Sequence, residues 1–574
     1  MRRLSHNVGS ILGALFIAGT PPLTAHATAL PDSVSDETSV GTKTATSDVG
    51  SIPSKGYVPT PGEPSHELAD ALTLFAHDDW QAAAIELQKV TDGATHDDHG
   101  NRQIAEYRLA IALFNLELYQ PSLDVFSRIA TNKCHVNRLE SITWFGRLAG
   151  KLPESAHIES QMAPFNEQDI RRATSKEESQ LGSTLLYLLG KQLYQKGDYK
   201  AALSAYQGVE STSDRYKQAQ FQIVACHVRL RKSVPAIKQL KCILSQLEAG
   251  TVRAADSENL RDLINLSLAR IYYSGSIKIN PETNIPTVSG ERLSMAVKYW
   301  EKVSKSSPYY VDVLFEEAWA HFMAGHYAEA LGNVYSIRSP YFASFIYPEA
   351  DILKAAIYFS GCDYEKTVTQ VARVMGQRGF LTDLTAFRNA QSRKGISGFY
   401  DSIANHDTEI PVMKPDARTL VTSALTNRAV SDAIAYANVL ESERKRVVAT
   451  PAFKEANFGK VLEGALRQQT LTAKKAAVDL ALARLDRTIA EYHETLQNGE
   501  RILIDLTAAQ RHLISTSRML SHPSGRTRVE VKPDDDHIIW PFDGEYWRDE
   551  IGTYRQIIFP VCEYQFRGYG RNLL

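Results

Sequence analysis

Two stretches decide the fold: VDVLFEEAWAHFMAGHYAEALGNVYSI at residues 311–337 and PEADILKAAIYFSGCDYEKTVTQVARV at residues 348–374. Each contains an apolar helix with a small residue where another helix comes close, which is Ala318 in the first and Ala355 in the second. A tight turn follows, and an aromatic residue opens a second helix with apolar positions at helical spacing. Two such units in a row predict a solenoid of helical hairpins.

The same order of residues recurs earlier in the chain. The clearest copy is STLLYLLGKQLYQKGDYKAALSAYQGV at residues 183–209, with Gly190 at the expected close helix crossing. Trp80 and Tyr119 hold the aromatic position in two further copies, whereas one weaker copy has Ser233 there. The recurrence predicts an all-α array of about seven hairpins from residue 65 to residue 374.

This order of small, aromatic and apolar residues resembles the tetratricopeptide repeat (TPR). Three runs are also similar to exported TPR proteins of gliding and predatory bacteria, some of which are periplasmic parts of the adventurous gliding motility machinery. The resemblance implies a protein that binds other envelope proteins; motility is the looser implication, because fold similarity does not fix function. The runs are residues 307–342, residues 347–364 with the CDY triplet, and WPFDGEYWRDEIGTY at residues 540–554.

The TPR resemblance also implies a binding groove. In TPR arrays the first helix of each hairpin lines a concave groove that holds a peptide or a partner helix. Packing between repeats is the alternative role for every aromatic residue there, whereas a cation has little packing value, which singles out Lys191. The candidate groove residues are Tyr187, Lys191, Tyr194, Phe315, Trp319, Phe322, Ile352 and Phe359.

The N-terminal region is typical of an exported protein. Residues 1–27 have two arginines, a short apolar run and the small-x-small pattern Ala25-His26-Ala27, which predicts a cleavable signal peptide. A membrane anchor is the alternative, but the apolar run is too short. Residues 28–62 are rich in Ser, Thr, Pro, Asp and Gly and predict a disordered tether. The expected compartment is the periplasm, with no membrane-embedded part after signal cleavage.

The cysteines predict disulfide bonds rather than a metal site. All five are scattered, without a C-x-x-C pair or zinc-ligand spacing. In an oxidising compartment the candidate disulfide pairs are Cys226–Cys242 and Cys362–Cys562, and the sequence leaves the connectivity open.

No catalytic motif is present in the sequence. We find no nucleophile elbow, glycine-rich phosphate loop, zinc-binding His-Glu-x-x-His or cysteine–histidine pair. The 64 basic and 66 acidic residues nearly cancel, so the charge balance indicates no nucleic-acid partner. We expect no enzyme activity, no cofactor and no metal.

The C-terminal third predicts long helices. After hairpins at 63–150, a linker or insertion at 151–180, the main array at 181–377 and a transitional segment at 378–415, a helical or coiled-coil region spans 416–518. Apolar residues alternate at spacings of three and four from residue 478 to 513, which predicts a coiled coil. Its expected partner is the preceding helix folded back as a hairpin, and a second copy of the chain is the alternative. Residues 519–574 predict a segment that caps the array or, alternatively, a clasp that binds a partner.

The sequence therefore predicts a non-enzymatic periplasmic scaffold within an envelope-spanning assembly, with envelope proteins or peptides as partners. One alternative is an envelope-maintenance adaptor that recruits a cell-wall enzyme. A second alternative is a hydrolase with its site in the C-terminal tail, which would need His, Asp or Glu side chains converging in a pocket.

Overall fold

The computed structural model describes residues 58–174, 178–250, 257–279, 286–343, 345, 347–376, 378–405, 415–515 and 545–556. The predicted signal peptide, most of the tether and most of the tail lie outside these residues. Within the described part the regular secondary structure is helical except for one antiparallel strand pair, β1 (Ile277–Ile279) and β2 (Pro286–Val288), with Ile277 opposite Val288. The predicted all-α class is confirmed.

The chain forms two compact units, and each gathers segments that are distant in sequence. The described part of the N-terminal unit consists of residues 58–232 and 428–477. Its helices are α1 (His66–Ala76), α2 (Trp80–Thr91), α3 (His99–Asn115), α4 (Tyr119–Thr131), α5 (Ser141–Leu148), α6 (Glu167–Ala173), α7 (Ser179–Gln195), α8 (Tyr199–Gln207), α9 (Tyr216–Arg229), α20 (Arg428–Ala449) and α21 (Pro451–Glu455).

The described part of the central unit consists of residues from 233 to 427 and from 478 onward. The longest helix, α22 (Asn457–Ser515), contributes residues to both units, because the division falls after Ala477. The other helices of the central unit are α10 (Ser233–Glu248), α11 (Ser257–Ser276), α12 (Gly290–Trp300), α13 (Tyr310–Ala324), α14 (Tyr327–Ile337), α15 (Pro348–Ser360), α16 (Tyr364–Met375), α17 (Arg378–Arg393), α18 (Gly395–Ala404) and α19 (Pro415–Leu425).

Helices that follow one another in the chain pack against each other, as α13 does with α14 and α15 with α16. The predicted aromatic residue opens the second helix in each case. These first residues are Trp80, Tyr119, Tyr199, Tyr327 and Tyr364. Before three of them an aspartate caps the helix, because its carboxylate accepts a hydrogen bond from a backbone N–H of the first turn. The structure has helix starts at these predicted aromatic residues, and the array of TPR-like hairpins stays a prediction.

Small residues lie where helices approach each other most closely. A Cβ atom on Gly190 would lie 2.7 Å from the ring of Tyr206, so only glycine fits at this crossing. Ala318 and Ala355 are completely buried, as their positions in the repeat predict. These contacts set the close spacing of neighbouring helices.

Four segments differ in detail from the prediction. The transitional segment 378–415 is largely helical, because buried Phe387 and Phe399 give α17 and α18 an apolar face. The helical region from residue 416 is interrupted between α19 and α20, and the linker 151–180 contains α6 together with two short 3₁₀ turns. Residues 277–291, whose polar sequence predicts an insertion in the turn of a weaker repeat copy, contain the strands β1 and β2.

The long helix α22 has 59 residues and would span about 90 Å if straight. In the central unit its Tyr492 and Leu496 pack with Val374, Phe380 and Ala417. Glycine 499 interrupts the predicted apolar seam because a Cβ there would lie 2.8 Å from the Met375 methyl group. In the N-terminal unit α20 contacts α22 through an ion pair of Arg444 and Glu463. The coiled coil and its pairing stay predictions.

Candidate peptide-binding groove

One face of α14 carries small side chains. Ala328, Gly332 and Ser336 are four residues apart, so they lie along the same side of the helix. Beside this stripe lie the aromatic side chains of Tyr335 on α14 and Tyr310 on α13. We call the surface made by these five residues the α14 groove. Residues Glu545–Gln556, which we call the tail segment, lie in it.

The tail segment folds into two consecutive turns. The Glu550 N–H donates to the Trp547 carbonyl at 3.2 Å, and the Thr553 N–H donates to the Glu550 carbonyl at 2.9 Å. The Trp547 N–H also donates to the hydroxyl of Tyr554 at 2.7 Å, which joins the two ends of the double turn. The segment therefore meets the groove with a defined shape.

Main-chain atoms make most of the hydrogen bonds between the tail segment and the groove. The Gln556 N–H donates to the Ala328 carbonyl at 3.1 Å, and the Gly552 N–H donates to the Ser336 hydroxyl at 2.9 Å. The Tyr310 hydroxyl donates to the carbonyl of residue 551 at 3.1 Å. Burial raises the pKa of Tyr310 to about 12, so this hydroxyl remains a donor at neutral pH.

Gly332 is the residue of α14 that the tail segment approaches most closely. A Cβ atom on Gly332 would lie 1.5 Å from the carbonyl oxygen of Tyr554, so any side chain would displace the tail segment. The ring of Tyr335 stacks on Tyr546 at 4.4 Å and meets the edge of Tyr554 at 5.1 Å. Ile551 is 2% exposed and is the anchor of the segment on this surface.

The tail segment is the described part of the predicted cap at residues 519–574, and the cap stays a prediction. The described tail residues contact α13, α14 and Tyr358 of α15, and they also accept hydrogen bonds from Lys305 and Tyr341. The stripe of small residues on α14 lets a backbone approach this helix.

Of the predicted groove residues, three lie in the N-terminal unit and are mostly occupied by contacts within the protein. Tyr187 is buried with its ring 5.8 Å from that of Tyr206. The Lys191 ammonium lies 3.6 Å from the buried carboxylate of Glu159, so its cation is paired, contrary to the reason for its selection. Tyr194 is partly exposed, and its hydroxyl accepts a hydrogen bond from Arg229.

The other five predicted groove residues lie in the central unit, and none of them makes the tail contacts described above. Phe322 is buried, and Ile352 packs against the apolar cluster around Tyr492. Partly exposed positions remain at Phe315, Trp319 and Phe359. Their rings contact Tyr347, Phe322 and Tyr364, respectively. A role in binding stays a prediction for these three.

Sequence reasoning missed the α14 groove, although part of the pattern was visible. The stripe of Ala328, Gly332 and Ser336 at four-residue spacing marks a helix face that something approaches closely. The spacing alone does not say what covers the face. That depends on the tail segment, which follows more than two hundred residues later in the chain.

The cysteines agree with the prediction only in part. Cys226 and Cys242 are free thiols, so their predicted pairing is wrong. They lie on α9 and α10, and Cys226 is buried whereas Cys242 is exposed. Cys362 is disulfide-bonded, and its predicted partner Cys562 lies outside the described residues. The Cys362–Cys562 pairing stays a prediction.

No protein-family model matches the chain, and no curated protein matches its sequence. In the part of the chain that the structure describes, no three His, Cys, Asp or Glu side chains are arranged to hold a metal ion. No helix among these residues combines the length and the apolar character needed to cross a membrane.

Proposed function

We propose that the protein is a non-enzymatic scaffold of the periplasm that binds other envelope proteins by holding a peptide segment of the partner against its helices. One observation carries this proposal: the helices of the central unit already hold a segment of their own chain. The α14 groove holds this segment through main-chain hydrogen bonds, a glycine at the closest approach and one buried aliphatic anchor.

The chemistry of the α14 groove suits peptide capture. Hydrogen bonds to main-chain atoms bind any peptide of the right shape, and a few side-chain contacts then distinguish one peptide from another. The predicted signal peptide and the similarity to exported TPR proteins support a place in an envelope assembly. Gliding motility is the assembly that this similarity implies.

Site-specific photo-cross-linking in intact cells tests the proposal. A photoreactive residue replaces Glu329, whose partly exposed side chain lies at the edge of the α14 groove near Arg555. The matched control carries the same residue at Asp486, which is 49% exposed on α22. We expect an envelope protein cross-linked at position 329 and not at position 486, identified by mass spectrometry and recovered again when that partner is tagged. No cross-link at position 329 in growing cells would contradict the proposal.

A further inference from the structure

We propose that the α14 groove selects peptides in which an aliphatic residue is followed by glycine and, two residues later, by tyrosine. The tail segment is then a built-in competitor that occupies the groove until such a partner replaces it. This inference rests on the proposed function, because it specifies which peptides the scaffold captures. The template for the motif is Ile551-Gly552-Thr553-Tyr554.

The glycine of the motif is required by two independent features. Gly552 has a φ angle of +90°, which side-chain-bearing residues rarely adopt. A Cβ atom there would lie 2.5 Å from the hydroxyl oxygen of Tyr310, which donates to the preceding carbonyl. Any other residue at this position is therefore both strained and in collision with the groove.

The aliphatic residue and the tyrosine are selected by their surroundings. Ile551 is buried against the helices, whereas the residues before it, Trp547 to Glu550, are exposed. The ring of Tyr554 packs in a T-shaped arrangement with that of Tyr335, and its hydroxyl accepts the Trp547 N–H. A phenylalanine would keep the ring contact and lose the hydrogen bond, so tyrosine is preferred.

Two further contacts reach carbonyl groups of the tail segment and therefore do not depend on the peptide sequence. The ammonium group of Lys305 donates to the Asp549 carbonyl, and the Tyr341 hydroxyl donates to the Tyr546 carbonyl at 3.4 Å. Ile551 is the single fully buried apolar side chain among the described tail residues. A partner peptide can replace a segment held by a contact of this size. The tail segment competes at a high effective concentration because it is attached to the same chain.

A peptide-binding measurement on the full chain tests the inference. The probe is a fluorescein-labelled peptide, EYWRDEIGTYRQ, which copies the tail segment. It is titrated into the wild-type protein and into the Gly552→Val variant, with a reductant present so that no disulfide retains the tail. We expect the variant to bind the peptide about tenfold more tightly, because its own tail no longer competes. Substitution of this tail glycine leaves the helices intact, and circular dichroism checks that.

Two control measurements make the result decisive. A peptide with alanine in place of its glycine should not bind, and the double variant Gly332→Ala, Gly552→Val should not bind the unaltered peptide. Equal binding of the two peptides, binding that survives the change at Gly332, or no binding to the Gly552→Val variant would each overturn the inference. Cross-linked partners that lack the motif would also overturn it while leaving the proposed function standing. Peptide binding with no cross-linked partner in cells would contradict the proposed function, whereas the peptide preference of the groove would stand.

Discussion

In each unit a C-terminal part of the chain packs onto an earlier helix, and the two contacts use different chemistry. In the N-terminal unit the buried carboxylate of Glu443 on α20 accepts hydrogen bonds from the N–H groups of Tyr119 and Gln120, each at 3.1 Å. In the central unit the tail segment is held on α14 by neutral hydrogen bonds and stacked rings. The first contact therefore uses a buried ionisable group, and the second does not.

The position of Glu443 explains why a charge is used there. Helix α4 begins after Leu118, whose side chain cannot accept hydrogen bonds from the first turn of the helix. Glu443 satisfies two of these N–H groups and places a negative charge at the positive end of the helix. Burial nevertheless raises the pKa of Glu443 to about 7. The contact is strong but costs the protein the desolvation of a carboxylate.

The largest effect is expected from removing this carboxylate. Glu443→Ala leaves one buried and one partly buried N–H group without the Glu443 acceptor, so we expect the free energy of unfolding to fall by about 2–4 kcal/mol. Urea unfolding, monitored by circular dichroism, measures this change in the free energy of unfolding. The matched control is Asp432→Ala on the same helix, which breaks an exposed pair with Arg428 and should cost less than about 0.5 kcal/mol. Equal losses of stability in the two variants would contradict a stabilising role of Glu443 at the start of α4.

The next effect concerns the tail contact. Gly332→Ala places a methyl group where the Tyr554 carbonyl lies, so we expect the tail segment to leave α14 while the helices remain folded. Exposure of Ile551 then lowers the free energy of unfolding by about 1–2 kcal/mol. This is part of the 1.5–3 kcal/mol that full burial of an aliphatic side chain contributes. Hydrogen exchange should show loss of protection at the Gly552 amide.

The matched control for Gly332→Ala is Gly464→Ala on α22, where no atom lies within 4 Å of the added Cβ. Alanine is the better helix former, so this control should gain about 0.5–1 kcal/mol and leave tail exchange unchanged. If the Gly552 amide stays protected in Gly332→Ala, the tail segment is not held as described.

The third expectation separates the two contacts by pH. The folded state binds the Glu443 proton more tightly than the unfolded chain does, so the contribution of this group to stability is fully present below about pH 4.5 and falls as pH rises to about 7. We expect this group to contribute roughly 1–3 kcal/mol to that fall. Asp124 and Arg446 also act on its charge.

Glu349 in the central unit, with a pKa also raised to about 7, adds a second slope of the same sign. The measurement is therefore the difference between wild type and Glu443→Gln across this pH range. The wild type should lose stability relative to Glu443→Gln as the pH rises, while protection of the tail amides, corrected for the intrinsic pH dependence of exchange, should stay constant. Loss of that protection between pH 5 and pH 7 would contradict the contrast drawn between the two contacts.

The smallest effect is expected from the charges at the edge of the tail contact. Arg555 lies 3.9 Å from Glu329 and is 73% exposed, so Arg555→Ala should change tail protection by less than about 0.3 kcal/mol. Raising the salt concentration should have equally little effect on tail exchange. A marked loss of protection in high salt would mean that charge holds the tail after all.

Local features of the fold were predictable, and contacts between distant segments were not. Tyr199, Tyr327 and Tyr364 open helices where the repeat pattern places them, because capping and turn chemistry act over a few residues. The contact of Glu443 with α4 joins residues more than three hundred positions apart. Its acceptor is a side chain and its donors are backbone groups, which no sequence pattern marks.

The predicted groove residues show the same difference between local packing and contacts with distant segments. Tyr187 and Phe322 are buried as the packing alternative required, and Lys191 is paired because Glu159 comes from a segment whose fold was not predicted. The small stripe on α14 was present in the sequence, but its meaning depended on which segment covers it. A repeat pattern identifies residues that pack within a hairpin better than residues that receive a distant segment.

Gly332 also has a genetic consequence. Because the fold of α14 tolerates an alanine and the docked tail does not, a single base change at this codon separates attachment of the tail from stability of the helices. Natural variants can therefore lose docking of the tail segment through one substitution and remain well folded. A survey of natural alleles at this one position would show whether selection keeps the tail attached.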